Sequence, residues 1–105
     1  MAVEATTEAF GELIREGEVL VDFWGPNCAP CLALMPMVES LEEKFPVRLV
    51  KVNAPENRQI CRDLKVLGLP SYLLFKDGAE VERLIGDPAL EEIEDAVVRL
   101  VRGGE

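Results

Sequence analysis

The run Val19-Leu20-Val21-Asp22-Phe23-Trp24-Gly25-Pro26-Asn27-Cys28-Ala29-Pro30-Cys31 decides how this chain folds. Its first six residues are apolar at odd and even positions alike, Asp22 excepted. That pattern marks a strand covered on both faces and lying centrally in a sheet. A helical pattern starts near Cys28 and extends to about Lys44, with Leu34, Met35, Val38, Leu41 and Phe45 on its apolar side. Pro36 inside it removes a backbone donor and predicts a kink. Two cysteines at C-x-x-C spacing therefore sit where a strand hands over to a helix.

That position supplies chemistry. Residues three apart share a helix face, so the sulfurs of Cys28 and Cys31 can meet. Unpaired N–H groups and partial positive charge at a helix start favour a thiolate at Cys28, the attacking species in disulfide exchange. Pro30 needs no helical donor in that first turn. The predicted cycle has Cys28 attacking a target disulfide to form a mixed disulfide. Cys31 then attacks Cys28 and releases the reduced target. Two other readings of the pair are half of a tetrahedral zinc site and two inert core cysteines. The chain has no His and only one further cysteine, Cys61, to complete a zinc set.

Outward from this run, Thr6 or Thr7 caps a predicted first helix to about Glu16, with a weak strand at Ala2–Ala5 before it. Val47–Asn53 reads as a second internal strand. A shorter helix follows from about Glu56 to Lys65, with Pro55 at its first turn. Ser71–Lys76 and Ala79–Ile85 flank Asp77-Gly78, a strong hairpin signal. Asp87 caps a last helix with Pro88 at its first position, and Leu90, Ile93, Val97, Leu100 and Val101 form its buried stripe. The order predicts an α/β sandwich with a mixed sheet in a single domain over residues 1–105.

The whole chain has 105 residues, 49% of them hydrophobic, which suits one globular core without disulfide staples. Its net charge of −9 opposes binding to nucleic acid or to anionic membrane surfaces. The start Met-Ala-Val-Glu-Ala-Thr-Thr-Glu has neither the basic nor the apolar segment of a secretory signal, and no apolar run approaches about 18 residues. The expected compartment is the cytoplasm, where cysteines serve chemistry or packing more than a disulfide framework. The expected state is a monomer with no bound metal or organic cofactor, its working group being the Cys28–Cys31 disulfide.

Val21-Asp22-Phe23-Trp24 followed by Cys28-Ala29-Pro30-Cys31, then Pro36, Lys51 with Asn53, Gly68-Leu69-Pro70-Ser71, Phe75-Lys76-Asp77-Gly78 and Gly86, together resemble the thioredoxin family over nearly the whole chain. The resemblance implies the thioredoxin fold, a mixed sheet flanked by four helices, and a protein-disulfide reductase acting in electron transfer and cell redox balance. It implies disulfide-containing proteins as partners and a thioredoxin reductase or equivalent donor to recharge the dithiol. It makes Asp22 a buried carboxylate that moves a proton at Cys31, and desolvation in an apolar strand favours its neutral form. The competing reading is a buried Asp22–Lys51 ion pair. The catalytic set is thus Cys28, Cys31, Asp22 and Lys51.

The same resemblance makes Pro70 a cis-proline facing the dithiol, with the Leu69 backbone pairing to bound peptide, where the sequence alone would read an ordinary trans turn. Trp24 packs beside the site, or is simply a strand-end core aromatic. The substrate-binding set is Trp24, Asn27, Ala29, Pro30, Leu69 and Pro70.

Three positions depart from the family's usual Trp-Cys-Gly-Pro-Cys-Lys. Asn27 removes a large aromatic from the docking face, Ala29 restricts the backbone relative to Gly, and Leu32 removes a cation near the thiols. They affect choice of partner more than chemistry, and so raise the alternative of a dedicated electron donor to one partner. A non-catalytic interaction module is the reading from another class. No His lies between the cysteines, which favours a reductant. Cys61 reads as core filler within its helix, against a regulatory or dimer-forming thiol.

Overall fold

Five strands and five short helices build the fold in a computed structural model that describes residues 2–103. The outer ends of the expected 1–105 unit lie outside the described residues. The elements are β1 (Val3–Glu4), α1 (Phe10–Leu13), β2 (Glu18–Trp24), α2 (Ala29–Glu39), α3 (Leu41–Lys44), β3 (Arg48–Asn53), α4 (Arg58–Leu64), β4 (Ser71–Lys76), β5 (Ala79–Ile85) and α5 (Leu90–Val101). The sheet order is β1-β3-β2-β4-β5. β1, β3 and β2 are parallel, and β4 and β5 join antiparallel. The expected mixed sheet is present with β2 at its centre.

Alternation along the strands divides the apolar residues between two cores. Leu20, Leu49, Tyr72 and Leu74 point to the layer of α2, α3 and α5, where they meet Val38, Leu41, Ile93 and Val97. Val19, Val21, Phe23, Val50, Val52, Leu73 and Phe75 point to the opposite layer and meet Phe10 of α1 and Ile60 of α4. Phe10 closes that side edge-on against Phe75, with ring centroids 6.2 Å apart. Each fully buried Leu, Val or Phe contributes about 1.5–3 kcal/mol, so the two-sided burial of β2 anchors the strand that leads into the cysteines.

Several boundaries differ from the sequence reading. The first helix is one turn, not a run to Glu16. Thr6 does accept the Ala9 N–H on Oγ1 at 3.2 Å, but the bond closes a turn ahead of Phe10. The long second helix passes through Pro36 and is interrupted at Ser40, whose hydroxyl donates to the Met37 carbonyl at 2.6 Å and competes with the helical ladder. Pro55 sits in a separate 3₁₀ turn, Ala54–Glu56. The buried Asn57 divides that turn from α4 by donating to the Asn53 carbonyl at 3.0 Å.

The last helix is not capped by Asp87. That residue adopts a left-handed φ of 60°, and α5 begins at Leu90 with Ala89 at its cap. Glu92 accepts the Ala89 N–H at 2.8 Å and does the capping instead. Ile93, Val97 and Leu100 are buried as expected, joined by Ala96, whereas Leu90 and Val101 are half-buried. No helix among the described residues is long and apolar enough to cross a membrane.

Candidate active site

β2 ends at Trp24, and the Gly25–Asn27 loop delivers the chain to α2 with Cys28 as its N-cap. Cys28 has extended backbone, and its Sγ accepts the Cys31 N–H at 3.3 Å. An open helix-terminal donor is thus spent on the first sulfur. Cys28 and Cys31 are joined by a disulfide with Cα atoms 5.3 Å apart. Cys31 is fully buried, while Cys28 is half-exposed. Asn27, Ala29, Pro30 and Leu32 surround Cys28 as an exposed rim, and Pro30 occupies the first turn of α2.

The loop before β4 approaches the loop that carries the chain into Cys28. The Leu69–Pro70 peptide bond is cis, Pro70 is buried and the Leu69 side chain is exposed. The two loops touch at Gly25, where a Cβ would lie 3.1 Å from Leu69 Cδ1 and 3.7 Å from Pro55 Cδ. Glycine relieves that close approach and is not there for an unusual φ. Gly25 thereby links the loop of the cysteines to the cis-proline loop.

Asp22 lies on the face of β2 that α2 covers, between Lys51 of β3 and Tyr72 of β4 in register. It is fully buried, and neither carboxylate oxygen has a hydrogen-bond partner among the described residues. Desolvation pushes its carboxyl up from 3.8 to about 7, and Lys51 pulls it back only in part. The alternative of a simple Asp22–Lys51 ion pair is not what forms. The Lys51 ammonium instead meets Glu39 at 2.9 Å and Glu4 at 4.0 Å, and the Glu39 hydrogen bond raises the lysine pKa. Met35 Sδ lies 3.7 Å from the same ammonium. Tyr72 is also buried, and desolvation holds its hydroxyl neutral. Trp24 is half-buried and donates its indole N–H to Glu4 at 3.0 Å, so it is more than core filling.

Sequence reasoning passed over Glu4 and Glu39. The signal for Glu39 was present: Cys31, Met35 and Glu39 follow at intervals of four on one helix face. Glu4 had only the weak strand around it, and its partner on β3 is distant in sequence. Cys61 lies on α4 and packs against the core on the opposite side of the sheet, where burial pushes its thiol up.

The family model described as Thioredoxin matches residues 1–99. The chain belongs to the thioredoxin family. It is 34% identical over 97 residues to the thioredoxin of Bacillus subtilis (strain 168), covering 90% of this chain and 93% of the relative. It is 41% identical over 88 residues to that of Peptoclostridium acidaminophilum, covering 82% and 80%. Among solved structures, oxidized mitochondrial thioredoxin 3 from Saccharomyces cerevisiae superposes with a TM-score of 0.87 at 27% identity, over 94% of this chain and 95% of that one. With its cysteine pair intact, this member of the family is a thiol–disulfide oxidoreductase that reduces protein disulfides by dithiol exchange. Its partners are in general disulfide-bearing proteins and a donor that returns electrons to the pair.

Proposed function

We propose that Cys28 is the attacking sulfur, Cys31 the resolving sulfur, and Asp22 the group that moves the proton at Cys31. The observation that carries this is the asymmetry of the pair: Cys28 caps a helix, half-exposed, and accepts an N–H, while Cys31 is sealed beneath it. In the reduced protein the Cys28 thiolate attacks one sulfur of a target disulfide. The target S–S bond breaks, and the departing thiolate takes a proton from water. Cys31 then gives its proton to the Asp22 carboxylate and attacks Cys28 Sγ. The mixed disulfide breaks, the second target thiolate leaves and takes up the proton from Asp22 by way of water, and two electrons have passed to the target. Lys51 serves as the charge beside Asp22. Trp24, Asn27, Ala29, Pro30, Leu69 and Pro70 form the docking rim.

The protein acts as a cytoplasmic monomer without bound metal or organic cofactor, recharged by a thioredoxin reductase or an equivalent donor. The acidic net charge supports this setting. Asn27, Ala29 and Leu32 favour a restricted set of targets, since they remove an aromatic and a cation from the face that meets them. Insulin reduction with dithiothreitol tests the chemistry. The wild type accelerates precipitation of the insulin chains and Cys28→Ser does not; equal rates for the two would overturn the reading. Replacing dithiothreitol by NADPH and a thioredoxin reductase separates a general reductase from a dedicated donor.

A further inference from the structure

Strand register assembles a row of ionisable side chains across four adjacent strands. Glu4 of β1 stands opposite Lys51 of β3, Lys51 opposite Asp22 of β2, and Asp22 opposite Tyr72 of β4. The next row of the same face on one side is Leu49, Leu20 and Leu74, and on the other side it is Trp24 and Asn53. Glu4 is the exposed member, and its two oxygens do different work. Oε2 accepts the Trp24 indole N–H at 3.0 Å, while Oε1 lies 4.0 Å from the Lys51 ammonium. Glu39, from α2, holds that same ammonium at 2.9 Å.

We propose that Glu4 is a positioning residue of the exchange site, fixing the Trp24 ring with one oxygen and engaging Lys51 with the other so that Asp22 is left without a counter-ion of its own. This rests on the reading of Asp22 as proton carrier. A lysine shared among carboxylates compensates each of them less than it would compensate one alone. Glu39 and Glu4 draw the ammonium outward, where all three groups reach solvent, and Asp22 stays behind in an apolar layer.

The groups that set the Asp22 proton come from every element around it. They are Lys51 on β3, Glu4 on β1 and Glu39 on α2; the neutral Tyr72 of β4 faces Asp22 in register, and Cys31, on the same face of α2 as Glu39, is held in the disulfide. The negative charges of Glu4 and Glu39 raise the Asp22 pKa, and the positive charge of Lys51 lowers it. Glu4 works at the edge of the sheet on a strand of two residues, yet it reaches both Trp24 and the lysine beside Asp22.

The test is a carbon-13 carboxyl NMR titration of Asp22 in the full oxidised chain, for wild type, Glu4→Gln and Glu4→Ala. It is paired with the pH profile of insulin reduction for the same proteins and for Asp22→Asn. Glutamine keeps an acceptor for the Trp24 indole and removes the charge; alanine removes both. The expected result is a downward shift of the Asp22 midpoint in both Glu4 variants. The limb of the activity profile that Asp22→Asn abolishes moves in the same direction. The Trp24 indole N–H resonance moves further in Glu4→Ala than in Glu4→Gln. An unmoved Asp22 midpoint in Glu4→Gln overturns the inference, as does a midpoint that moves while that limb stays in place. If Asp22→Asn keeps a wild-type profile, the proton-carrier reading itself fails, which sets that failure apart from an unmoved midpoint.

Discussion

Replacing Asp22 by asparagine removes the buried charge while nearly preserving shape, and the consequence for stability depends on pH in a calculable way. The ordinary carboxyl value is 3.8, and the folded value is about 7 because burial disfavours the ionised form. Well below the ordinary value of 3.8 the folded and unfolded chains both hold the proton, so Asp22 carries no pH-linked cost. As pH rises, the unfolded chain ionises in water, while the folded chain must keep its proton or bear a charge without a hydrogen-bond partner. Folded stability therefore falls until the pH passes the folded value. Each pH unit between the two values is worth about 1.36 kcal/mol, which sums to about 4 kcal/mol. A large fraction of a small domain's total stability is at stake. Urea unfolding of the oxidised wild type and Asp22→Asn from about pH 4 to about pH 9, at fixed ionic strength, measures this directly. The stability of the variant relative to wild type should climb by about 4 kcal/mol between these limits and level off above about pH 7. Subtracting the two proteins removes the contribution of other groups. A difference that is flat with pH, or that falls as pH rises, refutes the account of a desolvated, unpaired Asp22.

Two further outcomes follow from the same geometry. Cys61 packs against the core with a raised thiol pKa, so iodoacetamide should label it in the native oxidised protein far more slowly than a free cysteine at the same pH, and rapid labelling would show that it is not core filler. Gly25→Ala places a Cβ 3.1 Å from the flexible end of Leu69, so that side chain must give by a few tenths of an ångström. The stability loss should be at most about 1–3 kcal/mol, with a raised KM for protein targets; a wild-type KM would show that the Gly25–Leu69 contact does not shape docking.

Much of the fold was legible because its determinants are local. Asp77 and Gly78 both adopt positive φ, 50° and 88°, which is what the Asp-Gly pair signals for a hairpin, and the strands on either side matched residue for residue. The covered character of β2 was plain from apolar residues on both faces, and the place of the cysteines followed from where that strand ends.

What escaped the sequence depends on which side chain wins a backbone group locally and on contacts between distant segments. A Glu92 side chain displaced Asp87 as the cap of α5. A serine hydroxyl at position 40, not the ring of Pro36, divided the long helix. The division of Lys51 between Glu39 and Glu4, rather than its pairing with Asp22, is set by strand register and by α2 lying across the sheet. No period in the sequence encodes that choice.

The central claim is the order of the sulfurs, and trapping tests it most directly. Cys31→Ser, reduced and mixed with a disulfide-bonded target such as insulin, leaves Cys28 able to attack and nothing able to resolve. A mixed disulfide should accumulate, and peptide mapping by mass spectrometry should place it on Cys28. A complex mapped to Cys61, or accumulation of the adduct in Cys28→Ser and none in Cys31→Ser, contradicts the assignment.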